Sequence, residues 1–126
     1  MDERSAVITL GGEQYEMVLT TKATKAIAER YGGLDHLGDK LMQAENFEMA
    51  LTEVVWLIVT LCNQSILIHN LRDKAHPKEL LTEETVELLT SPGDLAEYKS
   101  AITEALLRGT KRNIESEENV KNITAG

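Results

Sequence analysis

The sequence predicts a mainly α, α+β domain: a helical bundle around one long central helix, preceded by a β-hairpin over about residues 6–19. Three observations carry that prediction. The densest apolar stretch, NFEMALTEVVWLIVTLCNQSILIHN at 46–70, has helical rather than strand spacing. Two β-rich runs, AVITL and YEMVL, flank a Gly-Gly pair near the N-terminus. The remainder carries short amphipathic stretches between recognisable cap and stop residues.

The chain has 126 residues, enough for a single domain with a real core and no disulfide framework. One cysteine forms no internal pair, and Cys62 falls on the apolar side of the long helix, as a small core hydrophobe. No apolar leader follows the polar start Met1–Ser5, so a cytoplasmic protein is expected. Thirteen Lys and Arg against 21 Asp and Glu leave a net charge of −8, with Lys111-Arg112 and nearby Arg108 as the one basic cluster. Phosphate contacts dominate nucleic-acid affinity and need clustered cations, so nucleic acid and anionic membrane are set aside as partners.

In chain order, strands are expected at 6–10 and 15–19, with Gly11, Gly12, Glu13 and Gln14 between them, because glycines tolerate the positive φ of hairpin turns. Tyr15, Met17 and Leu19 then share one side of the second strand. A lone hairpin is marginal in water, so it must pack on helices or pair with another chain's edge. Thr20-Thr21 caps a short helix at 22–31, whose inner side holds Ala23, Ile27, Ala28 and Tyr31, and Gly32 stops it as a left-handed residue. A second short helix at 34–44 would bury Leu34, Leu37 and Leu41, with Gly38 a weak point at about 1 kcal/mol relative to alanine.

The central helix has Asn46 as its cap and Glu48 in its first turn. At 100° per residue, Phe47, Leu51, Val54, Ile58, Leu61, Cys62 and Ser65 line its core face. Thr52, Glu53, Thr60, Asn63 and Gln64 lie opposite, together with Met49, Trp56 and Leu67. A transmembrane reading fails on length, since the near-continuous apolar run 54–62 is about half the roughly 20 residues required. A charged connector follows at 71–81, then a short helix at 82–89 with Thr82 as its cap and Glu83 and Glu84 in its first turn. Residues 90–94 break the chain. Ser91 with Pro92 at the first helical position, or alternatively Asp94, restarts it. The last helix, 95–108, presents Leu95, Tyr98, Ile102, Ala105 and Leu106, and Gly109 stops it. The domain is thus 1–109, and the polar 110–126 is a mobile or partner-ordered tail.

The search for chemistry yields no catalytic, cofactor-binding or metal-binding residues. His36, His69 and His76 have no ligand spacing, and the Gly-Gly pairs lack the Lys-Ser/Thr of a phosphate loop. Glu83, Glu84 and Glu87 read as a solvated face. Ser65, the one serine near a histidine in sequence, falls in a helix core. A non-enzymatic binding or assembly protein is expected. The sharpest feature is then the line of Met49, Trp56, Asn63 and Leu67 at roughly heptad spacing, since Trp buries much area at small entropic cost. Either the rest of the chain wraps this line or a partner does; the four residues are the candidate partner-binding set.

The order ITLGGEQYEMVL, LTTKATKAIAERYGGLDHLGDKL, ALTEVVWLIVTLCNQ and LLTEETVELLTSPGDL covers about 6–108. With Tyr31-Gly32-Gly33-Leu34, Val55-Trp56 and the Glu-rich helix before Ser91-Pro92-Gly93, it resembles the tail assembly chaperones of long, non-contractile-tailed bacteriophages. The resemblance implies a protein that binds the tape-measure protein in the infected bacterial cytoplasm and keeps it soluble while tail-tube protein polymerises. It also implies absence from the finished virion and self-association in several members, and it fixes no binding residues. The alternative is a structural tail or head–tail connector subunit whose hairpin extends a neighbour's sheet.

Overall fold

A computed structural model describes residues 2–37 and 47–125, with 111–125 described through the backbone alone. The described elements are strands β1 (Ser5–Leu10) and β2 (Glu13–Val18), helix α1 (Thr21–Tyr31), a helical turn at 34–37, the central helix α2 (Phe47–Arg72), α3 (Glu83–Leu89), a 3₁₀ turn Pro92–Asp94, and α4 (Leu95–Ala125). The mainly helical fold with an N-terminal hairpin is therefore the one expected. The expected cap Asn46 and the stretch 38–46, with Gly38 and Leu41, lie outside the described residues.

The hairpin is tighter than the sequence reading. Leu10 pairs with Glu13 across a two-residue turn, and Ser5 with Val18 at the open end. Gly11 (φ 59°) and Gly12 (φ 84°) both take the left-handed conformation that a type I′ turn demands. Glu13 and Gln14 therefore belong to the ladder, not the turn. Period-two alternation puts Ala6, Ile8, Leu10 and Met17 onto the core, while Val7 and Thr9 face solvent.

Thr20 caps α1 by accepting from the Ala23 N–H at 3.0 Å. Its hydroxyl also donates to Gln64 Oε1 at 2.5 Å, so one side chain closes a helix end and ties it to α2. Ala23, Ile27 and Tyr31 are buried as expected, but Ala28 is exposed. Gly32, at φ 83°, ends the helix and returns its N–H to the Ala28 carbonyl.

α2 is the core. Ala50, Val54, Leu57, Ile58, Leu61, Cys62, Gln64 and Ile66 are buried, an arc of about 200° at 100° per residue. Hairpin, α1, α3 and α4 all pack against it. Phe47 lies on the expected core line yet is 56% exposed. Angular position fixes which way a side chain points, not whether anything lies opposite it along the axis. Gln64, assigned by sequence to the polar face, is buried with both ends of its amide engaged, the second by the Thr60 carbonyl at 3.0 Å. By length and composition α2 is apolar enough to cross a membrane, with mean hydropathy 1.7 over an 18-residue window. Within the molecule 44% of that window is buried, so packing inside the fold accounts for much of its apolar character.

Thr82 caps α3 through the Thr85 N–H at 3.1 Å, and Val86 alone of that helix is buried. Ser91 stands at the cap position of the 3₁₀ turn with Pro92 following, and its N–H donates to Tyr98 Oη at 3.1 Å. α4 buries Tyr98, Ile102 and Ala105, as the stripe predicted. Gly109 does not stop it; the helix continues to Ala125. A Cβ at Gly109 would lie 2.7 Å from Leu19 Cβ, so the glycine serves a close approach of α4 to the hairpin's end. The segment after 109 begins as a continuation of this helix rather than after a break.

Candidate functional site

Among the described residues, Cys62, Ser65 and the three histidines singled out from the sequence each make contacts within the fold. Cys62 is fully buried, and burial pushes its thiol up to about 12, which keeps it un-ionised at neutral pH. Ser65 Oγ donates to the Glu16 carbonyl at 2.8 Å and to the Cys62 carbonyl at 2.9 Å, fastening β2 to α2. His36 Nδ1 sits 3.3 Å from the Gly32 carbonyl, and His69 Nε2 2.8 Å from the His76 carbonyl. His76 pairs with Asp73 at 3.2 Å on the surface. Among the described residues no three His, Cys, Asp or Glu side chains converge as metal ligands. Glu83, Glu84 and Glu87 are exposed.

The Met49–Trp56–Asn63–Leu67 line divides into four different environments. Met49 is 60% exposed. Trp56 is half-buried. The Arg30 guanidinium stacks 4.6 Å above its ring, and Tyr31 meets it edge-to-face at 5.9 Å and 77°. Glu53 accepts from Tyr31 Oη and from Arg30 Nε, the latter at 3.1 Å. Burial, followed by this bond to Glu53, raises the Tyr31 hydroxyl above the usual tyrosine range. The cluster locks the end of α1 onto α2, so Trp56 has an intramolecular role.

Asn63 is engaged more specifically. Its side-chain amide accepts from the Leu81 N–H at 2.8 Å and donates to the Leu81 carbonyl at 2.9 Å. Asn70 repeats the arrangement with Lys78, at 2.8 and 3.0 Å. Two helical turns, residues 63 to 70, advance about 10.5 Å at 1.5 Å per residue. The three extended steps from 78 to 81 cover about 10 Å at the strand rise. The two spacings match, so an extended segment running antiparallel to α2 is clipped at both ends by asparagine amides acting as surrogate peptide groups. Asn70 was not singled out from sequence, although its heptad relation to Asn63 in an apolar helix was the available signal.

Leu67 lies where an apolar surface stays open. It lines a groove of about 690 Å³ between α1, α2 and the clipped segment. Val59 and Leu80 line it too, with Lys22 and Lys25 along its α1 side, and Leu80 is 49% exposed. Lys22, Lys25 and Leu80 carried no sequence signal, because the groove exists only once the connector has folded back along α2. Comparison of the chain with protein-family models, curated proteins and solved structures finds no match.

Proposed function

We propose that the chain is a non-enzymatic assembly chaperone of the long-tailed bacteriophage type, which holds an apolar helical stretch of the tape-measure protein in the groove between α1 and α2. The observation that carries this reading is the open apolar strip formed by Val59 and Leu67 of the core-forming helix with Leu80 of the connector folded back along it. A groove of this kind suits helix-in-groove recognition, in which residues spaced by three and four insert between two flanking walls. A tape measure's apolar stripe aggregates unless covered. A carrier with net charge −8 keeps the complex dispersed. Met49 is exposed further along the same helix line, beyond Trp56, and offers a second, separate apolar contact. In this reading the protein acts in the infected bacterial cytoplasm before the virion is finished, and tail-tube protein displaces it.

Co-expression with the tape-measure protein of the same genome tests the proposal. The tagged chain should render the large protein soluble and co-purify with it. Leu67→Asn and Met49→Gln should reduce the recovered complex while helicity stays unchanged. Co-purification untouched by both variants would remove the groove from the reading, and no co-purification would remove the chaperone. The exposed Val7 and Thr9 on the outer side of β1 favour a second reading, a structural tail or head–tail connector subunit whose hairpin extends a neighbour's sheet. That reading requires the chain to be present in purified particles, where a chaperone is absent.

A further inference from the structure

The two walls of the α1–α2 groove differ in chemistry. Val59 and Leu67 of α2, with Leu80 of the connector, bring no charge to it. Every charge in the groove comes from α1, as Lys22, Lys25 and Glu29. Their spacing of three and then four residues sets them in one row along that helix, about 10.5 Å long at 1.5 Å per residue. All three are exposed, and among the described residues none has a side-chain hydrogen bond or an ion pair.

α1 runs antiparallel to α2. Thr20 at its start bonds Gln64 at 2.5 Å, and Arg30 near its end pairs with Glu53 at 3.1 Å. The two lysines therefore flank the stretch from Val59 toward Leu67, and Glu29 lies beyond Val59 toward Trp56. Lys22 also stands in the first turn of α1, a turn with no acidic residue. A cation there opposes the positive end of the helix dipole, so local helix stability favours an acid at that position. Two unpaired lysines, with the dipole behind them, make one rim of an apolar strip electropositive in a chain of net charge −8.

We propose that this rim selects the helix the groove accepts: an amphipathic helix with two acidic residues, three or four positions apart, along one flank of its apolar stripe. The inference rests on reading the groove as a helix-binding site. The two carboxylates meet Lys22 and Lys25 while the apolar stripe meets Val59, Leu67 and Leu80. Glu29 repels a third acid one turn further on and accepts a Lys or Arg there. An acidic row on one flank also fixes the direction of the bound helix, because turning the helix end for end carries that flank to the uncharged wall. The acidic surface of the chain does not override this choice, since charges beyond about 8 Å are screened at physiological salt and the adjacent lysines decide.

The test uses labelled helical peptides of about 20 residues that share one leucine stripe and carry Glu, Gln or Lys along one flank. Each is titrated by fluorescence anisotropy with the full chain, with the double variant Lys22→Glu/Lys25→Glu, and with Leu67→Asn. The Glu peptide should bind the wild-type chain roughly 3- to 10-fold tighter than the Gln peptide, and the Lys peptide should bind weakest. The charge-reversed chain should invert that order, and salt near about 1 M should narrow it. A gain in Lys-peptide binding does not come from misfolding, and Glu suits the first turn of α1, so circular dichroism should show unchanged helicity. Leu67→Asn should weaken all peptides alike. Equal binding of all peptides, lost in Leu67→Asn, would overturn the charge selection while leaving the groove as a helix site. An order of preference that survives the charge reversal would overturn it too. No binding of any peptide to the wild-type chain at about 1 mM would remove the groove as a helix site and this proposal with it.

Discussion

Replacing Asn63 by alanine removes both hydrogen bonds that hold Leu81 to the central helix. Each bond is worth about 0.5–1.5 kcal/mol net of water, so the pair contributes about 2 kcal/mol. Leu81 and Asn63 are both half-buried, so water does not fully replace what is lost. Alanine returns about 0.5 kcal/mol through its better helix propensity. The expected net loss is about 1.5 kcal/mol. At Asn70 the same substitution frees Lys78, which is exposed and readily solvated, so loss and propensity gain nearly cancel. The double variant should resemble Asn63→Ala alone, because a clip that has lost its buried end gains little from the exposed one. Urea denaturation followed by circular dichroism gives the three stabilities, and amide exchange at Leu81 reports the clip directly. An Asn63→Ala loss below about 0.5 kcal/mol, or Leu81 exchange unchanged by it, would refute the clip as a structural device. Asn63→Asp supplies a further check. Its carboxylate keeps the acceptor for Leu81 N–H but opposes the Leu81 carbonyl. The folded state therefore favours the protonated acid, and the variant should be most stable at low pH, losing ground as pH rises through its raised pKa.

Three other outcomes follow from the packing. Thr20→Val keeps the shape but deletes the cap on Ala23 and leaves buried Gln64 Oε1 without its donor, a loss of about 2–3 kcal/mol in thermal or urea melts that Thr20→Ser should largely avoid. Gly109→Ala gains about 1 kcal/mol of helix propensity but drives a Cβ to 2.7 Å from Leu19 Cβ, an atom that no rotamer change moves. Overpacking of about 1–3 kcal/mol should win, and a stabilised variant would mean that α4 shifts freely. Cys62 should resist thiol reagents in the native state and react on unfolding. Its raised pKa means that its contribution to stability is complete below about pH 9, the unfolded value, and is lost as pH climbs toward about 12.

Local chemistry was legible wherever a single residue type has a single job. Gly11-Gly12 as a hairpin turn, Thr20 and Thr82 as caps, Gly32 as a left-handed stop and the Leu95–Ala105 stripe follow from φ restrictions, orphan amides and periodicity, which the chain carries with it wherever it goes. Residues able to do two jobs were misassigned. Gly109 looks like a stop and is instead a contact point, because helix termination and close backbone approach both select glycine. Gln64 looks like surface and is core, because an amide with both ends bonded loses little on burial.

The sequence by itself determined the element types, their order and which stripe of each helix is apolar, since these depend on backbone propensities and spacing within a few turns. Tertiary structure alone decided what the Met49–Trp56–Asn63–Leu67 line does. Trp56 is occupied by Arg30 and Tyr31, Asn63 by Leu81, and Leu67 is left open with Val59 and Leu80. The physical reason is that a residue's own chemistry sets what it can bind, while the return path of the connector, some eighteen residues away in sequence, sets what reaches it first.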